Sequence, residues 1–539
     1  MRSILASLSI TILTACCAPI AGDPPPAAVS HYIAPVGDGE RTIFLISDSH
    51  MGFGRDGAGN WSPTEDFRWP RALASFLEEA REAGEDRVDL IIVGDFLEMW
   101  QVPDMIACTD GGADLGCTVP EMAAVVRGIV AGHTEEFDEL RKFAEAGNNR
   151  LHIIPGNHDA ALLIADVWRP LGEAFNEQSG RINLVTDGLW VSGDGRIIVE
   201  HGHQIGSDVN KYDDWPGMVV KADRRGTYRM IRPWGENFVQ SVFNEVEAGN
   251  DDVPPYPIVD NLAPETAAVR YRMADVGIGQ SIADAVRFLV FNLLETSLVQ
   301  KLQVLGPQTD PMSGQIVWDV EAGREMGHML FANALADDDP FRALLLGDTA
   351  KAAELREALS ATAMDESALS DDEVRSLCEQ LAARNRDQLC IDVQLGAAIE
   401  AIFSSRPKVV RQHLIERRKT YGDMTLFIYG HTHKYEIPHA VSLPGDYKVT
   451  VVNTGAFQRV VGEEAFLERV AEKSEELGRD VTPGEGLRLI DLSELAPCYT
   501  YVEVRYRLGL PEAKLWYWRS DETDAVPTGR RSIGSNACR

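Results

Sequence analysis

The chain has 539 residues, which exceeds the usual size of a single domain, so we expect a core domain with a substantial insertion. Its formal net charge of -32 at pH 7 argues against nucleic acid and anionic lipid headgroups as bulk partners, because both require a basic surface. A phosphate-bearing substrate would therefore have to be attracted locally, by metal ions or by a cluster of arginines.

The N-terminus reads as an export signal. Met1 and Arg2 supply a positive charge, residues 4–13 are apolar but too few to span a bilayer, and Leu13-Thr14-Ala15-Cys16 supplies small residues for cleavage. These four residues also resemble the bacterial lipobox, in which the cysteine is acylated; the alternative is an ordinary signal peptide with an incidental cysteine. We predict a signal peptide over 1–15, a lipidated Cys16 and linker over 16–40, and a membrane-anchored lipoprotein facing the periplasm of a bacterial cell envelope.

Apart from Cys16 and Cys17, the cysteines fall into pairs that are close in sequence. The pairs are Cys108 with Cys117, Cys378 with Cys390, and Cys498 with Cys538. An even number of cysteines in an exported protein favours disulfides, and no Cys-x-x-Cys spacing supports a zinc site instead. We therefore predict disulfides, although the sequence does not choose their connectivity.

Residues 41–208 alternate predicted strands with predicted helices. The apolar runs 43–46, 88–93, 151–154 and 197–199 are typical of buried strands, and helical spacing covers 71–83 and 134–146. Strands that alternate with crossover helices indicate a largely parallel sheet. We assign this range to the first part of an α/β core.

Residues 209–420 have a different character. A broadly apolar helix with interspersed charges is predicted over 282–302, followed by helical patterns at 349–359, 371–383 and 393–403. The charges within the first of these favour the interior of a helical domain over a membrane span. We predict a large, mainly helical cap inserted into the core.

Strands return in residues 421–519. The range 447–453 is typical of one strand, 499–506 and 514–518 of a terminal antiparallel pair, and a helix is predicted near 463–476. We assign 421–519 to the second part of the core and 520–539 to a C-terminal tail.

Five hydrophobic runs end in residue types that bind metals. The blocks are Asp48-Ser49-His50, Gly94-Asp95, Gly156-Asn157-His158-Asp159, His201-Gly202-His203 and Gly430-His431-Thr432-His433. Because α/β sheets build their sites at the carboxyl ends of strands, we expect these blocks to converge. Asp, His and Asn form a mixed oxygen and nitrogen set suited to Mn²⁺, Fe or Zn²⁺, and there are enough of them for two divalent ions. Asp95, alone in its block, is the natural shared ligand.

These blocks, in this order, resemble the Asp-x-His, Gly-Asp, Gly-Asn-His-Asp/Glu, His and Gly-His-x-His motifs of the calcineurin-like metallophosphoesterase family. The resemblance covers residues 41 to about 205 and 425–455. It implies a β-sandwich core flanked by helices, here with the helical insertion. It further implies that Asp48, His50, Asp95 and His433 bind one metal, and that Asp95, Asn157, His201 and His431 bind the other.

The same resemblance implies catalytic roles in the third block. His158 would donate a proton or hydrogen bond to the leaving oxygen, and Asp159 would orient His158. His203 is ambiguous, since it could lie beside the site while the family pattern places the ligand at His201. The remaining histidines are interpreted as structural or incidental.

A subgroup signal surrounds Asp95. The run Gly94-Asp-Phe-Leu-Glu-Met-Trp100 is similar to the Gly-Asp-x-x-Glu-x-Trp of the branch that contains UDP-2,3-diacylglucosamine pyrophosphatases. Two features depart from that branch: His158 stands where those enzymes commonly have Arg, and the insertion is larger. Glu98 and Trp100 are then interpreted as bracing the end of the strand.

Two arginine-rich stretches flank the metal blocks and are candidates for binding distal groups of the substrate. They supply Arg224, Arg225 and Arg229 on one side and Arg417 and Arg418 on the other; the alternative is an ordinary solvated surface.

The sequence thus predicts an exported metallophosphoesterase that hydrolyses a phosphomonoester, phosphodiester or pyrophosphate bond by in-line attack of a metal-bridging hydroxide. The alternatives are a pyrophosphatase acting on a UDP-sugar or lipid, and a non-catalytic lipoprotein whose insertion binds a partner that the sequence does not identify.

Overall fold

The computed structural model describes residues 24–29, 41–103, 106, 108, 112, 114–175, 180–205, 210–249, 254–263, 268, 271–272, 275, 308–309, 316–317, 407–522 and 527–538. The predicted signal peptide, Cys16, the pair Cys378 and Cys390, and most of the predicted helical insertion lie outside these residues. The domain boundaries and the anchor therefore stay predictions.

The described part of the chain is mixed α/β, as predicted. The strands are, in chain order, β1 (Thr42–Ile46), β2 (Val88–Val93), β3 (Leu115–Thr118), β4 (Arg150–Ile154), β5 (Ile182–Leu184), β6 (Leu189–Val191), β7 (Ile197–Glu200), β8 (Val220–Ala222), β9 (Tyr228–Ile231), β10 (Leu262–Ala263), β11 (Gln308–Thr309), β12 (Ile316–Val317), β13 (Leu426–Tyr429), β14 (Glu436–Leu443), β15 (Tyr447–Asn453), β16 (Val461–Gly462), β17 (Cys498–Arg507), β18 (Leu510–Arg519) and β19 (Gly529–Ser532). The helices are α1 (Pro70–Ala83), α2 (Val119–Gly132), α3 (Thr134–Glu145), α4 (Ala165–Ala174), α5 (Trp234–Phe238), α6 (Asn244–Ala248), α7 (Pro407–Thr420), α8 (Glu463–Leu477) and α9 (Pro483–Leu489). A π-helical turn, Val239–Phe243, joins α5 to α6, and short 3₁₀ helices span Ala160–Leu163, Leu492–Glu494 and Asn536–Cys538.

Two sheets form the centre of the fold. The first has seven strands in the order β19-β18-β17-β1-β2-β4-β5, and its β1, β2, β4 and β5 are parallel neighbours. The second has five strands in the order β14-β15-β13-β7-β6, in which β13 is parallel to both β7 and β15. The predicted terminal antiparallel pair is confirmed as β17 and β18.

The sheets pack face to face, with helices on their outer faces. Alternate residues of β1 show this arrangement: Ile43 and Leu45 lie in the cluster between the sheets together with Val199 and Ile428 of the second sheet. Phe44 and Ile46 face the other way, into the large cluster that contains apolar residues of α1 to α4. On the far side, Leu414 of α7 packs against the second sheet. Burying both faces of parallel strands explains their unbroken apolar runs.

The described start of the predicted helical insertion contains strands as well as helices. Strands β8 and β9 join β3 in a three-stranded sheet, and β10 pairs in parallel with β16. Residues 210–263 therefore pair with two segments of the predicted core, Leu115–Thr118 and Val461–Gly462. Short strands of two to four residues give too little alternation to be recognised in a sequence.

The predicted presence of disulfides is confirmed, and the structure supplies the connectivity that the sequence left open: Cys108 to Cys117 and Cys498 to Cys538. The second bond ties the 3₁₀ helix Asn536–Cys538 to the start of β17. Among the helices described, none is both long and apolar enough to cross a membrane.

Candidate metal centre

The predicted blocks converge at one edge of the sandwich. Each follows the carboxyl end of a strand: β1, β2 and β4 of the first sheet and β7 and β13 of the second. Because these strands are parallel within each sheet, their carboxyl ends lie at the same edge. The convergence expected from the sequence is confirmed by this topology.

Glycines allow the blocks to approach one another. A Cβ on Gly94 would lie 2.3 Å from Nδ1 of His201, and one on Gly156 would lie 2.2 Å from Oδ1 of Asp95. A Cβ on Gly430 would lie 2.6 Å from Oδ2 of Asp48. Each glycine therefore makes room for a predicted ligand of a different block. Gly94 also has φ of +81°, which other residues rarely adopt.

The backbone at the predicted ligands is itself unusual. The left-handed region is occupied by Asp48 (φ 51°), His50 (φ 45°), Asp95 (φ 47°), His431 (φ 73°) and His433 (φ 51°). This conformation is costly for residues other than glycine, and it clusters at functional sites where the surrounding structure maintains it.

Asp48, His50 and His433 form the first group of converging ligand atoms. The Nε2 atoms of His50 and His433 are 3.0 Å apart, and Nε2 of His433 lies 3.7 Å from Oδ1 of Asp48. Nδ1 of His50 lies 2.9 Å from Oε2 of Glu98, so that Nε2 is left for a metal. Imidazole nitrogens bind such ions at about 2.0–2.1 Å, and two nitrogens 3.0 Å apart can both reach one ion.

Asp95, His201 and His431 form the second group. Nε2 of His201 lies 3.0 Å from Oδ2 of Asp95 and 3.1 Å from Oδ1 of Asn157. Nδ1 of His201 donates to the carbonyl of Val93 at 2.8 Å, which again directs Nε2 toward the other ligands. The same Oδ2 of Asp95 is 3.8 Å from Nε2 of His50 in the first group. Asp95 thus lies between the two groups.

The charges of this edge favour a bound cation. Burial alone would raise the pKa of Asp95, but His201 and His158 outweigh it and hold that pKa well below its ordinary value. Burial alone would lower the pKa of His201, but Asp95 raises it to about 10. Without a metal, His201 therefore needs a proton to neutralise Asp95. A divalent cation can replace that proton, and the residues present fit such a group.

The imidazole of His158 is positioned by Glu98 and Trp100. Its Nδ1 lies 2.6 Å from Oε2 of Glu98, and its ring stacks on Trp100 with centroids 3.7 Å apart. The predicted role of Asp159 is therefore corrected. Oδ1 of Asp159 accepts the N–H of Gly156 at 2.6 Å and Oδ2 accepts that of Phe96 at 2.9 Å, so Asp159 shapes the two loops and makes no hydrogen bond to the His158 ring.

A cavity opens above both ligand groups. Four of the six residues of the two groups line it, namely His50, Asp95, His431 and His433, together with Asn157 and His158. Its lining also includes Asn210, Val239, Phe243, Val259 and Asp260. Trp100 adds a large aromatic surface. Part of the cavity lining therefore comes from the described beginning of the predicted insertion.

The structure does not bring the five predicted substrate-binding arginines to this cavity. Arg417 forms an ion pair with Glu200, the last residue of β7, and the guanidinium of Arg418 lies 3.5 Å from the ring centroid of Tyr447. Arg229 donates to Asp223 at 3.2 Å and to the carbonyl of Gly116 at 3.1 Å. Arg224 and Arg225 are exposed in the turn before β9. The five arginines therefore flank the metal-binding blocks in the sequence but do not lie beside them in the structure.

Sequence reasoning missed two other polar groups. His133 is fully buried, with Glu65 and Glu136 each 3.2 Å from one of its ring nitrogens. Asp66, Glu247 and Asp260 form a further convergent group, and two of them line the cavity. Neither follows a metal-ligand motif, so no sequence signal identified them. His203 is buried against Trp215 at a centroid distance of 4.4 Å and belongs to neither ligand group.

Residues 41–265 match the model of a protein family described as calcineurin-like phosphoesterase. No curated protein matches the chain. The matched range contains the first four metal blocks and ends before His431 and His433. The fold supplies these two residues to the same edge, because β13 lies next to β7.

Proposed function

We propose a binuclear metal mechanism for this chain, which belongs to the calcineurin-like phosphoesterase family and is a phosphoric ester hydrolase. The observation that carries the proposal is the position of Asp95. Its Oδ2 lies 3.0 Å from Nε2 of His201 in one ligand group and 3.8 Å from Nε2 of His50 in the other. A carboxylate between two histidine-containing groups can serve as a ligand of two ions at once.

Two bound divalent ions would supply Lewis-acid stabilisation of the phosphoryl oxygens and a nucleophile at neutral pH. Asp48, His50 and His433 would hold one ion, and Asn157, His201 and His431 the other, with Asp95 shared. The nitrogen and oxygen donors suit Mn²⁺, Fe or Zn²⁺. Hydrogen bonds from Nδ1 of His201 and between Nδ1 of His50 and Glu98 fix the ring orientations before any ion binds.

His158 would assist departure of the leaving group. Its Nδ1 is engaged by Glu98, so its Nε2 is left for the substrate, and the ring lines the cavity beside both ligand groups. A protonated Nε2 can donate to the leaving oxygen as negative charge develops there. Trp100 and Glu98 hold the ring in one orientation, which reduces the reorganisation needed in the transition state.

The substrate carries a phosphomonoester, phosphodiester or pyrophosphate bond. The wall formed by Val239, Phe243 and Val259, with Trp100, favours a second candidate within that range, a pyrophosphatase acting on a UDP-sugar or lipid. A non-catalytic lipoprotein is disfavoured because both ligand groups are complete.

We further propose, from the lipobox-like Leu13-Thr14-Ala15-Cys16, that the enzyme is exported and anchored to a membrane of the cell envelope.

Metal analysis combined with substitution of Asp95 tests this proposal. Purified wild-type protein should contain about two transition-metal ions per chain and hydrolyse members of a phosphoester panel. Asp95→Asn should lower metal content and kcat/KM together, the latter by more than about 100-fold, because both ions lose a charged ligand. One ion per chain in the fully active protein would contradict the binuclear proposal. Full activity of the Asp95 variant would contradict the assigned site.

A further inference from the structure

A third group of converging ligand atoms lies beside the metal centre. Oxygens of Asp66, Glu247 and Asp260 all lie within 4.8 Å of one another. Asp66 is in the loop between β1 and α1, Glu247 is in α6, and Asp260 is in the turn before β10. Asp66 and Asp260 line the cavity that also contains the predicted ligands His50 and Asp95, so solvent ions can reach the group.

Gln101 supplies an independent indication that this group is built for a ligand. Its side chain is only 8% exposed, its Nε2 donates to Oε2 of Glu247 at 2.7 Å, and it lines the same cavity as Asp66 and Asp260. Its Oε1 is buried and makes no hydrogen bond in the described part of the chain, and the same holds for Oδ1 of Asp260. A buried amide oxygen without a partner is costly, and calcium ions commonly accept such an oxygen as a ligand.

No ion pair neutralises these three carboxylates among the described residues. The positive charges of Arg68 and His50 act on Glu247 and Asp260 from beyond ion-pair distance, and Nε of Arg68 donates to the carbonyl of Glu65 at 2.9 Å. Burial, followed by repulsion from Asp260 and Glu247, holds the pKa of Asp66 well above its ordinary value. Three acids in this position must therefore either share protons or bind a cation.

We propose that Asp66, Glu247, Asp260 and Gln101 bind a third divalent cation of the hard, oxygen-preferring class, Ca²⁺ in preference to Mg²⁺. The donors are all oxygens, unlike the histidine-rich groups next to them, so the two kinds of site select different metals. Ca²⁺ is favoured over Mg²⁺ because it accepts irregular sets of carboxylate and amide oxygens, whereas Mg²⁺ requires near-octahedral geometry. Such a cation would also link three segments of the chain: α6, the turn before β10 and the loop that follows β1.

Calorimetric titration of the whole protein with Ca²⁺ tests the proposal. The histidine-rich groups are first filled with Mn²⁺, and bound Mn is measured before and after the titration. We expect one Ca²⁺ per chain for the wild type and at least a tenfold weaker affinity for Asp66→Asn and Glu247→Gln, with unchanged Mn. Glu468→Gln, which removes an exposed charge from α8, should bind Ca²⁺ like the wild type.

The converse variant separates this site from the catalytic one. His431→Ala should lose Mn and activity while it still binds Ca²⁺, so failure of the proposed function and failure of this inference give different results. Absence of Ca²⁺ binding by the wild type, with Asp66→Asn more thermostable than the wild type, would show that the acids share protons and would overturn the proposal. Binding of ethylammonium in place of Ca²⁺ would overturn it in favour of an organic cation. The titration of the wild type alone shows whether the protein binds Ca²⁺, even if a variant does not fold.

Discussion

Oε2 of Glu98 lies 2.6 Å from Nδ1 of His158 and 2.9 Å from Nδ1 of His50. One buried carboxylate oxygen thus orients both a predicted metal ligand and the predicted proton donor. The other oxygen of Glu98 accepts the backbone N–H groups of Trp100 and Gln101, at 2.7 and 3.1 Å, which fixes the carboxylate itself. Glu98 is therefore a positioning residue, a role that goes beyond bracing the end of β2.

Glu98→Gln tests this positioning role. We expect kcat to fall about 10- to 100-fold with KM close to the wild-type value, because an amide has one accepting oxygen and cannot accept from both histidines and from both backbone N–H groups as the carboxylate does. Steady-state kinetics on a phosphodiester and metal analysis measure the effect. Glu464→Gln, at an exposed position in α8, provides the control. A wild-type kcat in the Glu98 variant would show that the two contacts do not matter for turnover.

His158→Asn should separate catalysis from metal binding. We expect both ions to be retained and kcat to fall about 100- to 1000-fold on an alkyl phosphoester. The loss should be smaller on p-nitrophenyl phosphate, because nitrophenolate departs without protonation. The ratio of the two losses is the decisive measurement. Equal losses on both substrates, or loss of the metals, would contradict the assigned role.

Gly156→Ala should damage the metal centre through sterics alone. The added Cβ would lie 2.2 Å from Oδ1 of Asp95 and 2.6 Å from its backbone nitrogen, so Asp95 must move. We expect metal content to fall below half and activity to fall more than about tenfold, because a displacement of this kind misplaces a shared ligand. Gly193→Ala is the matched control, since nothing lies within 4 Å of its added Cβ. Normal metal content in the Gly156 variant would show that the loop adjusts.

His133 should make the stability of the core depend on pH. Burial alone would lower the pKa of His133, but Glu65 and Glu136 raise it to about 9. Protonated His133 therefore contributes stability that is complete below the unfolded value of about 6.5 and is lost as the pH rises through about 9. We expect His133→Gln to cost about 2–3 kcal/mol at pH 6 and much less at pH 10.

Thermal unfolding of the wild type and of the His133 variant at pH 6 and pH 10 measures this difference. Glu65 also accepts the N–H groups of Gly52 and Gly54, at 3.2 and 2.7 Å, so that loss of the pair loosens the loop that follows His50. An equal loss of stability at both pH values would mean that His133 acts through packing and not through its charge.

Cys16→Ser tests the proposed lipid anchor. If Cys16 is acylated, the substitution should move the protein from the membrane fraction to the soluble fraction, because a signal peptide alone provides no lasting attachment. Specific activity should be unchanged, since the catalytic blocks begin at Asp48. Fractionation followed by immunodetection measures the distribution. Membrane association that survives the substitution would refute the lipoprotein hypothesis.

Much of the fold could be predicted because local periodicity reports which faces of a strand or helix are buried. The continuous apolar runs of β1, β2 and β4 indicate parallel strands buried on both faces, and β15 was predicted with its observed bounds, 447–453. The three-stranded sheet of β3, β9 and β8 was missed, because its strands are short and come from distant parts of the chain.

The sequence by itself determined which residue types form the metal centre, since a strand end followed by Asp, His or Asn is a local pattern. Only the tertiary structure decided which groups surround them. It placed Glu98 and not Asp159 on the ring of His158, turned Arg417 toward Glu200, and brought Asp66, Glu247 and Asp260 together. The physical reason is that a charge selects a partner by distance in space, and that distance depends on how separate segments pack.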